Sequence, residues 1–232
     1  FLTAFLSKVV GEWFLTGSER MKQRPIGILV DALRKMGASI EYVDKQGFPP
    51  LHIVGSALKG GIIELDGSVS SQYISALLMI APTIQNGLTI RLLNQVTSRP
   101  YIELTLKLME RFGIHYSWKD DKIRIDEQAY RPVQFTVEAD WSAASYWYAM
   151  AALAEDCDLL LKGLQIKSFQ GDASQADWFG KYFGVRSHQE MNDVRLTKAN
   201  SPVITLPLLD FIENPDIAQT FAVLCVCKGM PF

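Results

Sequence analysis

Between residues 66 and 72 the chain reads Asp-Gly-Ser-Val-Ser-Ser-Gln, three hydroxyls and a carboxamide gathered in one short stretch. The alternating run Gly61-Ile-Ile-Glu-Leu65 before it predicts a strand, and the apolar run Tyr73 to Ala81 after it predicts a helix. At a strand-to-helix handover the first N–H groups of the helix have no intrahelical acceptor and point the same way, and the helix dipole favours an anion there. Ser70, Ser71 and Gln72 add neutral donors, so the stretch suits a phosphate or a polyol held without a metal. Helix capping is the competing reading. One cap needs only one hydroxyl, however, and Gln72 sits at the third helical position of a capping box only if Val69 is the cap, which valine cannot be.

The elements that must position this stretch repeat along the chain. One recurring unit is an amphipathic helix closed by Met or an aromatic residue and then Gly, with a strand after it. It appears at Pro25 to Gly37, at Pro100 to Gly113 and, more loosely, at Asp172 to Gly184. Pro at the start and Gly past the end is the expected punctuation. Ile26, Leu29, Leu33 and Met36 mark the buried face of the first, Ile102, Leu106 and Met109 that of the second, and Ala176, Phe179 and Phe183 that of the third. The other recurring unit is a helix apolar nearly all round, at Phe1 to Val10, Tyr73 to Ala81, Ala143 to Leu153 and Ile217 to Cys227, which predicts burial on every side. Strands are expected at Ala38 to Val43, Leu88 to Leu93, Lys122 to Asp126 and Gln134 to Glu138.

The pattern therefore predicts an α/β fold of repeated βαβαββ units, with buried helices inside and mixed sheets outside. At least one complete unit is expected over about residues 67–138. A changeover near Asp140 divides the chain into a first part, residues 1–139, and a second part, residues 140–232. The chain opens inside a helix without an initiator Met and stops where a strand is due, which reads as an excised segment of a longer protein. Apolar surface is then expected around Phe1 to Leu6 and Leu224 to Phe232, where it would promote self-association.

Composition narrows the function classes. With 232 residues, 48% hydrophobic and 21% charged, the chain has the make-up of an ordinary globular protein. A formal net charge of −2 and scattered basic residues give no reason to expect nucleic acid as a partner. No apolar run approaches the ~20 residues of a membrane span, and no signal peptide is visible. Three cysteines are too few for a disulfide framework, so a reducing, cytoplasmic setting is the default. Cys225 and Cys227 read as buried small hydrophobes. His52, His115 and His188 lack companions at ligand spacing, so neither a metal nor another cofactor is indicated.

Four stretches together carry a resemblance: Glu19 to Gly27 (Glu-Arg-Met-Lys-Gln-Arg-Pro-Ile-Gly), Asp66 to Gln72, Thr97 to Ile102 (Thr-Ser-Arg-Pro-Tyr-Ile) and Asn214-Pro-Asp216. In order and spacing the chain resembles the 5-enolpyruvylshikimate-3-phosphate synthases (3-phosphoshikimate 1-carboxyvinyltransferases). The likeness covers nearly the whole chain and weakens between about residues 165 and 212. That family has two domains, each of three βαβαββ units, which close on two anionic substrates. The resemblance implies transfer of the enolpyruvyl group of phosphoenolpyruvate to the 5-hydroxyl of shikimate-3-phosphate, by addition and then elimination of phosphate, in a parent enzyme that is a monomer. It further implies that Ser70, Ser71 and Gln72 touch shikimate-3-phosphate, that Ser98 completes the phosphate pocket, and that Tyr101 lies against the same substrate. Arg24 would hold phosphoenolpyruvate. Asp216 would bond the shikimate hydroxyls and accept the 5-hydroxyl proton.

Each residue also has chemistry of its own, and a blander alternative. A guanidinium at a helix start is disfavoured by the dipole unless an anion is bound there, which a forked donor such as Arg24 does well; the alternative is a solvated or salt-bridged arginine. Capping is the alternative for Ser98, packing for Tyr101, and an ordinary helix-start carboxylate for Asp216. The family's Lys-Ser pair and Asn-Ala-Gly-Thr segment would lie before Phe1, and the remaining catalytic residues of its second domain beyond Phe232, so this chain is expected to hold about half a site and to lack turnover on its own. The nearest rival, UDP-N-acetylglucosamine enolpyruvyl transferase, lacks the Ser-Ser-Gln pocket. A non-catalytic repeat module, from a different class, would show no anion affinity near Arg24.

Overall fold

Punctuation by Pro and Gly sets most element boundaries in the computed structural model, which describes residues 1–199 and 208–231. The first copy of the repeat runs α1 (Leu2–Lys8), β1 (Gly11–Leu15), the one-turn α2 (Glu19–Lys22), α3 (Gly27–Lys35), β2 (Ser39–Tyr42) and β3 (Leu51–Gly55). The second runs β4 (Lys59–Asp66), α4 (Ser71–Ile80), β5 (Gln85–Leu93), α5 (Arg99–Arg111), β6 (Ser117–Lys119) and β7 (Lys122–Ile125). The third runs α6 (Trp141–Leu153), β8 (Asp158–Lys162), α7 (Gln175–Phe183), β9 (Val185–Glu190) and β10 (Asp193–Lys198), and α8 (Pro215–Cys227) follows. Gly37, Gly113 and Gly184 close α3, α5 and α7 with φ of 97°, 83° and 67°, the left-handed region that glycine enters without steric cost. The faces expected to be buried are buried, apart from the half-buried Ile26: Leu29, Leu33 and Met36 on or just after α3, Ile102, Leu106 and Met109 on α5, and Ala176, Phe179 and Phe183 on α7.

The strands form three separate sheets with one recurring order, β1-β3-β2, β4-β5-β7-β6 and β8-β10-β9. In each, the last strand of the copy lies between the other two and pairs antiparallel with both. Among the described residues, only the second copy has the additional leading strand β4, parallel to β5. It is the complete βαβαββ unit, and it runs from Lys59 to Ile125 instead of 67–138, because it opens on the strand ahead of the serine-rich stretch.

Two expectations need correction. Residues Gln134 to Glu138 form no strand. The chain around them makes single bonds to separate loops, Arg131 N–H to Phe112 O at 2.8 Å and Ala139 N–H to Gly163 O at 2.8 Å, so the alternating Val133, Phe135 and Val137 stay exposed. The all-round apolar helices are not all enclosed either. α4 has α1 on one side and α5 on the other, and buries Ile74, Ala76, Leu77, Leu78 and Ile80. α6 packs on α7 and α8 but leaves Tyr146, Trp147, Met150 and Leu153 exposed, and α1 and α8 leave Phe5, Val223 and Val226 exposed.

The chain divides into two compact units, Phe1–Val133 and Gln134–Phe232, each with its own core. Unit two is centred on Phe221, which is fully buried with ring centroids 4.9 Å from Phe179, 5.3 Å from Phe211 and 5.6 Å from Trp178. At the expected apolar ends, Phe1, Leu2 and Phe5 are exposed, but Leu224 and Cys225 are buried, and Phe232 lies outside the described residues. Cys227 is exposed, because it falls on the outer face of α8 while Cys225 falls on the inner one. No helix among the described residues is long and apolar enough to cross a membrane.

Candidate functional site

Parallel pairing of β4 with β5 decides where the serine-rich stretch lies. Asp66 is in register with Leu93, so both strands leave the sheet at the same end, and each then enters a helix. The starts of α4 and α5 are thereby placed side by side. One turn further along, Ser75 Oγ and Thr105 Oγ1 share a hydrogen bond of 2.7 Å that holds the two helices together.

The two loops are cross-tied. Gly67 N–H donates to Leu93 O at 2.6 Å, and Thr97 N–H donates to Gly67 O at 3.1 Å. Asp66 Oδ1 accepts from the Ser68 N–H at 2.8 Å and the Ser68 hydroxyl at 2.6 Å, while Oδ2 accepts from Asn94 Nδ2 at 2.8 Å. The loops approach so closely that a Cβ on Gly67 would stand 3.0 Å from Val96 Cγ2 and 3.1 Å from the Gln95 and Leu93 carbonyl oxygens.

Within this frame Ser70 is the N-cap residue of α4 and Ser98 that of α5, yet neither hydroxyl makes a capping bond. The side chains of Ser70, Ser71, Gln72 and Ser98 have no hydrogen-bond partner among the described residues. Ser98 also has φ 54°, a left-handed conformation that costs a non-glycine residue on the order of 1–3 kcal/mol and is concentrated at functional sites. Tyr101 lies in the first turn of α5, half-buried, with its N–H donating to Ser98 O at 3.1 Å.

Arg24 lies on the segment between α2 and α3, exposed, beside the start of α4. The Tyr73 hydroxyl donates to the Pro25 carbonyl, which fastens that segment to α4. Burial raises the Tyr73 phenol above its ordinary pKa, and the Arg24 charge acts in the opposite direction. The Arg24 guanidinium has no ion-pair partner among the described residues. Arg99, by contrast, is engaged: its Nε donates to Glu103 Oε1 at 2.9 Å and its guanidinium lies 4.4 Å from the centre of the Trp118 ring. Of these two arginines, only Arg24 has its forked donors free for an anion.

Six of the seven residues singled out from the sequence thus lie in one unit, around two adjoining helix starts. Asp216 stands in the other unit, exposed in the first turn of α8. The start of α8 is held by the buried carboxylate of Asp172, which accepts from Asn214 Nδ2 at 3.0 Å and from the Ser142 hydroxyl on α6 at 2.6 Å. Sequence reasoning missed Asp172, Tyr73 and Asn94, whose contributions are contacts across 28 to 48 residues with no local signature. Asp66 was part of the quoted stretch, but its bonds to Ser68 were not foreseen; the Asp-x-Ser spacing of an Asx-type turn is the signal that could have found them.

The Asp66 carboxyl is held below its usual range, chiefly by the Ser68 hydroxyl and then by the Ser68 N–H and Asn94. A depressed carboxyl pKa stabilises the folded loop above the ordinary carboxylate value, and that contribution is lost as the pH falls through the lowered value. Asp66→Asn is therefore expected to expose the Ser68 N–H, with amide exchange about tenfold faster at pH 7, and to abolish the acid-dependent opening expected of the unsubstituted chain. Hydrogen exchange followed by NMR between pH 3 and 7 is the measurement; unchanged Ser68 protection would show that the staple contributes nothing.

Comparison with known proteins gives a concordant result. Residues 1–229 match the family profile described as EPSP synthase (3-phosphoshikimate 1-carboxyvinyltransferase). The chain is 52% identical over 233 residues to a 3-phosphoshikimate 1-carboxyvinyltransferase of Bacteroides fragilis, an alignment covering all of this chain and 56% of that protein. It is 40% identical over 224 residues to the enzyme so named in Vibrio cholerae, covering 95% of this chain and 51% of the other. Among solved structures, EPSP synthase from Acinetobacter baumannii superposes with a TM-score of 0.71 at 20% identity, over 97% of this chain and 51% of that one, which shows a shared fold. The chain spans about half the length of the curated relatives it matches. At this coverage by the family profile and this identity to its members, the chain belongs to the EPSP synthase (3-phosphoshikimate 1-carboxyvinyltransferase) family.

Proposed function

We propose that this chain carries the phosphate-binding part of an enolpyruvyl transfer site, in an enzyme that moves the enolpyruvyl group of phosphoenolpyruvate to the 5-hydroxyl of shikimate-3-phosphate. The observation that carries the proposal is the pair of N-cap serines, Ser70 and Ser98, on adjoining helices with neither hydroxyl engaged in capping. Two free hydroxyls, the Ser71 hydroxyl, the Gln72 amide and two sets of first-turn N–H groups make a neutral donor cluster suited to a phosphate dianion. Tyr101, one turn on, is assigned to lie against the ring of the same substrate, and Arg24 is assigned as the cation for the carboxylate or phosphate of phosphoenolpyruvate.

In the reaction, the 5-hydroxyl oxygen bonds to the carbon bearing the phosphate as its own proton leaves and the vinyl carbon gains one. Phosphate then departs as a proton is lost from the methyl group, which restores the double bond. Asp216 is assigned as acceptor of the 5-hydroxyl proton. The groups that protonate the vinyl carbon are assigned to parts of the enzyme other than these residues, so residues 1–139 and 140–232 supply incomplete portions of two domains and the chain alone binds without turning over. As a biosynthetic enzyme acting on soluble phosphates it is assigned to the cytoplasm.

The test is a titration of shikimate-3-phosphate against this chain and against a Ser70→Ala/Ser98→Ala double variant, followed by amide shifts. A hydrogen bond to a charged group contributes about 1.5–3 kcal/mol when well formed, and association costs remove much of the sum. Binding near ~1 mM is expected for the unsubstituted chain and at least about tenfold weaker binding for the variant. Equal responses would remove the pocket assignment. Absence of any anion affinity would favour a non-catalytic repeat module, and enolpyruvyl transfer by the chain alone would overturn the incomplete site.

A further inference from the structure

Unlike the hydroxyls of Ser70, Ser71 and Ser98, that of Tyr73 has a partner among the described residues. It donates to the carbonyl of Pro25, 48 residues away in sequence and directly after Arg24. Among the described residues this is the only hydrogen bond joining residues 23–26 to α4 or to its loop; the segment's other bonds, Gln23 N–H to Arg20 O at 3.3 Å, Arg24 N–H to Met21 O at 3.1 Å, Ile26 N–H to Gly47 O at 2.8 Å and Val30 N–H to Ile26 O at 3.1 Å, all lie inside the first copy of the repeat. Tyr73 itself follows Ser70 by one turn, with its N–H donating to Ser70 O at 2.9 Å. One residue therefore bonds through its backbone to the N-cap serine and through its side chain to the arginine segment.

Resting on the anion-site reading above, we propose that Tyr73 is a positioning residue: its hydroxyl sets the distance between the Arg24 guanidinium and the serine cluster, so that two anionic groups are received at one fixed spacing. The inference concerns geometry between two subsites, not contact of Tyr73 with a ligand. A guanidinium on an exposed segment gains little for a ligand if it must first be ordered, and a tether that orders it beforehand removes that cost. Phenylalanine at this position would keep the ring and its packing and lose only the donor.

The test has a ligand-free arm and a ligand arm, both on the whole chain. With tyrosine labelled at Cζ and the Tyr73 signal assigned by its absence in Tyr73→Phe, the Tyr73 titration should move upward in Arg24→Gln, because the nearby cation that favours the phenolate is gone. An unmoved midpoint would overturn the proposal whatever any ligand does. In the ligand arm, Tyr73→Phe should leave the affinity for inorganic phosphate, which reads the serines, within about twofold, and weaken phosphoenolpyruvate measured with phosphate present by about five- to tenfold. In the Arg24→Gln background the same substitution should have no further effect, since it acts through Arg24. An undiminished phosphoenolpyruvate affinity in Tyr73→Phe, or an equal loss in the Arg24→Gln background, would overturn the tether. Failure of the unsubstituted chain to take up either anion would overturn the anion-site reading instead, and the Tyr73 midpoint would still decide whether the phenol and Arg24 are held together.

Discussion

Phe221→Ala is expected to unfold the second unit while the first stays folded. Phe221 is fully buried and its ring meets those of Trp178, Phe179, Phe183 and Phe211. Truncating a buried phenylalanine removes its transfer free energy and leaves a cavity, together about 3–5 kcal/mol, and aromatic pairs add about 0.5–1.5 kcal/mol each beyond area. Against a typical domain stability of about 5–15 kcal/mol, that loss removes most of what a unit of this size has. The hydrophobic core of the first unit contains no residue of this cluster. Hydrogen exchange resolved by residue is the measurement: protection should collapse for α6 to α8 and persist for α4 and β5. Uniform loss across both units would show that the two cores are energetically one.

Gly67→Val should abolish anion binding with a far smaller effect on stability. The branched side chain has to enter the space where Val96 Cγ2 and the Gln95 and Leu93 carbonyls stand 3.0–3.1 Å from the Cβ position. Overpacking of this kind costs about 1–3 kcal/mol and is relieved by moving backbone. The backbone that moves is the cross-tie between the two loops, Gly67 N–H to Leu93 O and Thr97 N–H to Gly67 O. Ser70 and Ser98 then part, and phosphate affinity should fall more than about tenfold, below what a titration in the millimolar range detects. Gly67→Ala should fall between the two. Retention of affinity in the valine variant would mean that the loops need not be in contact for the serines to act.

Element boundaries were legible wherever a residue acts through its own backbone. Pro100, Gly113 and Gly184 mark helix ends by φ alone, and α5 and α7 lie where that punctuation puts them. The alternation of Val133, Phe135 and Val137 was legible too, but alternation states only that a segment has two faces, and a ladder also needs a partner edge. All-round apolarity on α6 predicted enclosure for the same local reason and met the same limit, since what covers a helix depends on neighbours that no residue of the helix encodes. The candidate site divides along this line. Ser70, Ser71, Gln72 and Ser98 announce themselves by type and by position at helix starts. Tyr73 reads as one more apolar position of a buried helix, and only the fold reveals that its hydroxyl meets Pro25.

The recurring strand order has a kinetic consequence. Among the described residues, every strand pair lies within one copy of the repeat. Contacts of short sequence separation close small loops, so each sheet can assemble early and at low entropic cost, without waiting for the rest of the chain to be synthesised. A single cleavage between Val133 and Val137, where both side chains are exposed, would sever no ladder. The two resulting polypeptides would each retain the strand pairs of their described residues, which makes this stretch a natural point for splitting the gene or for moving the chain termini.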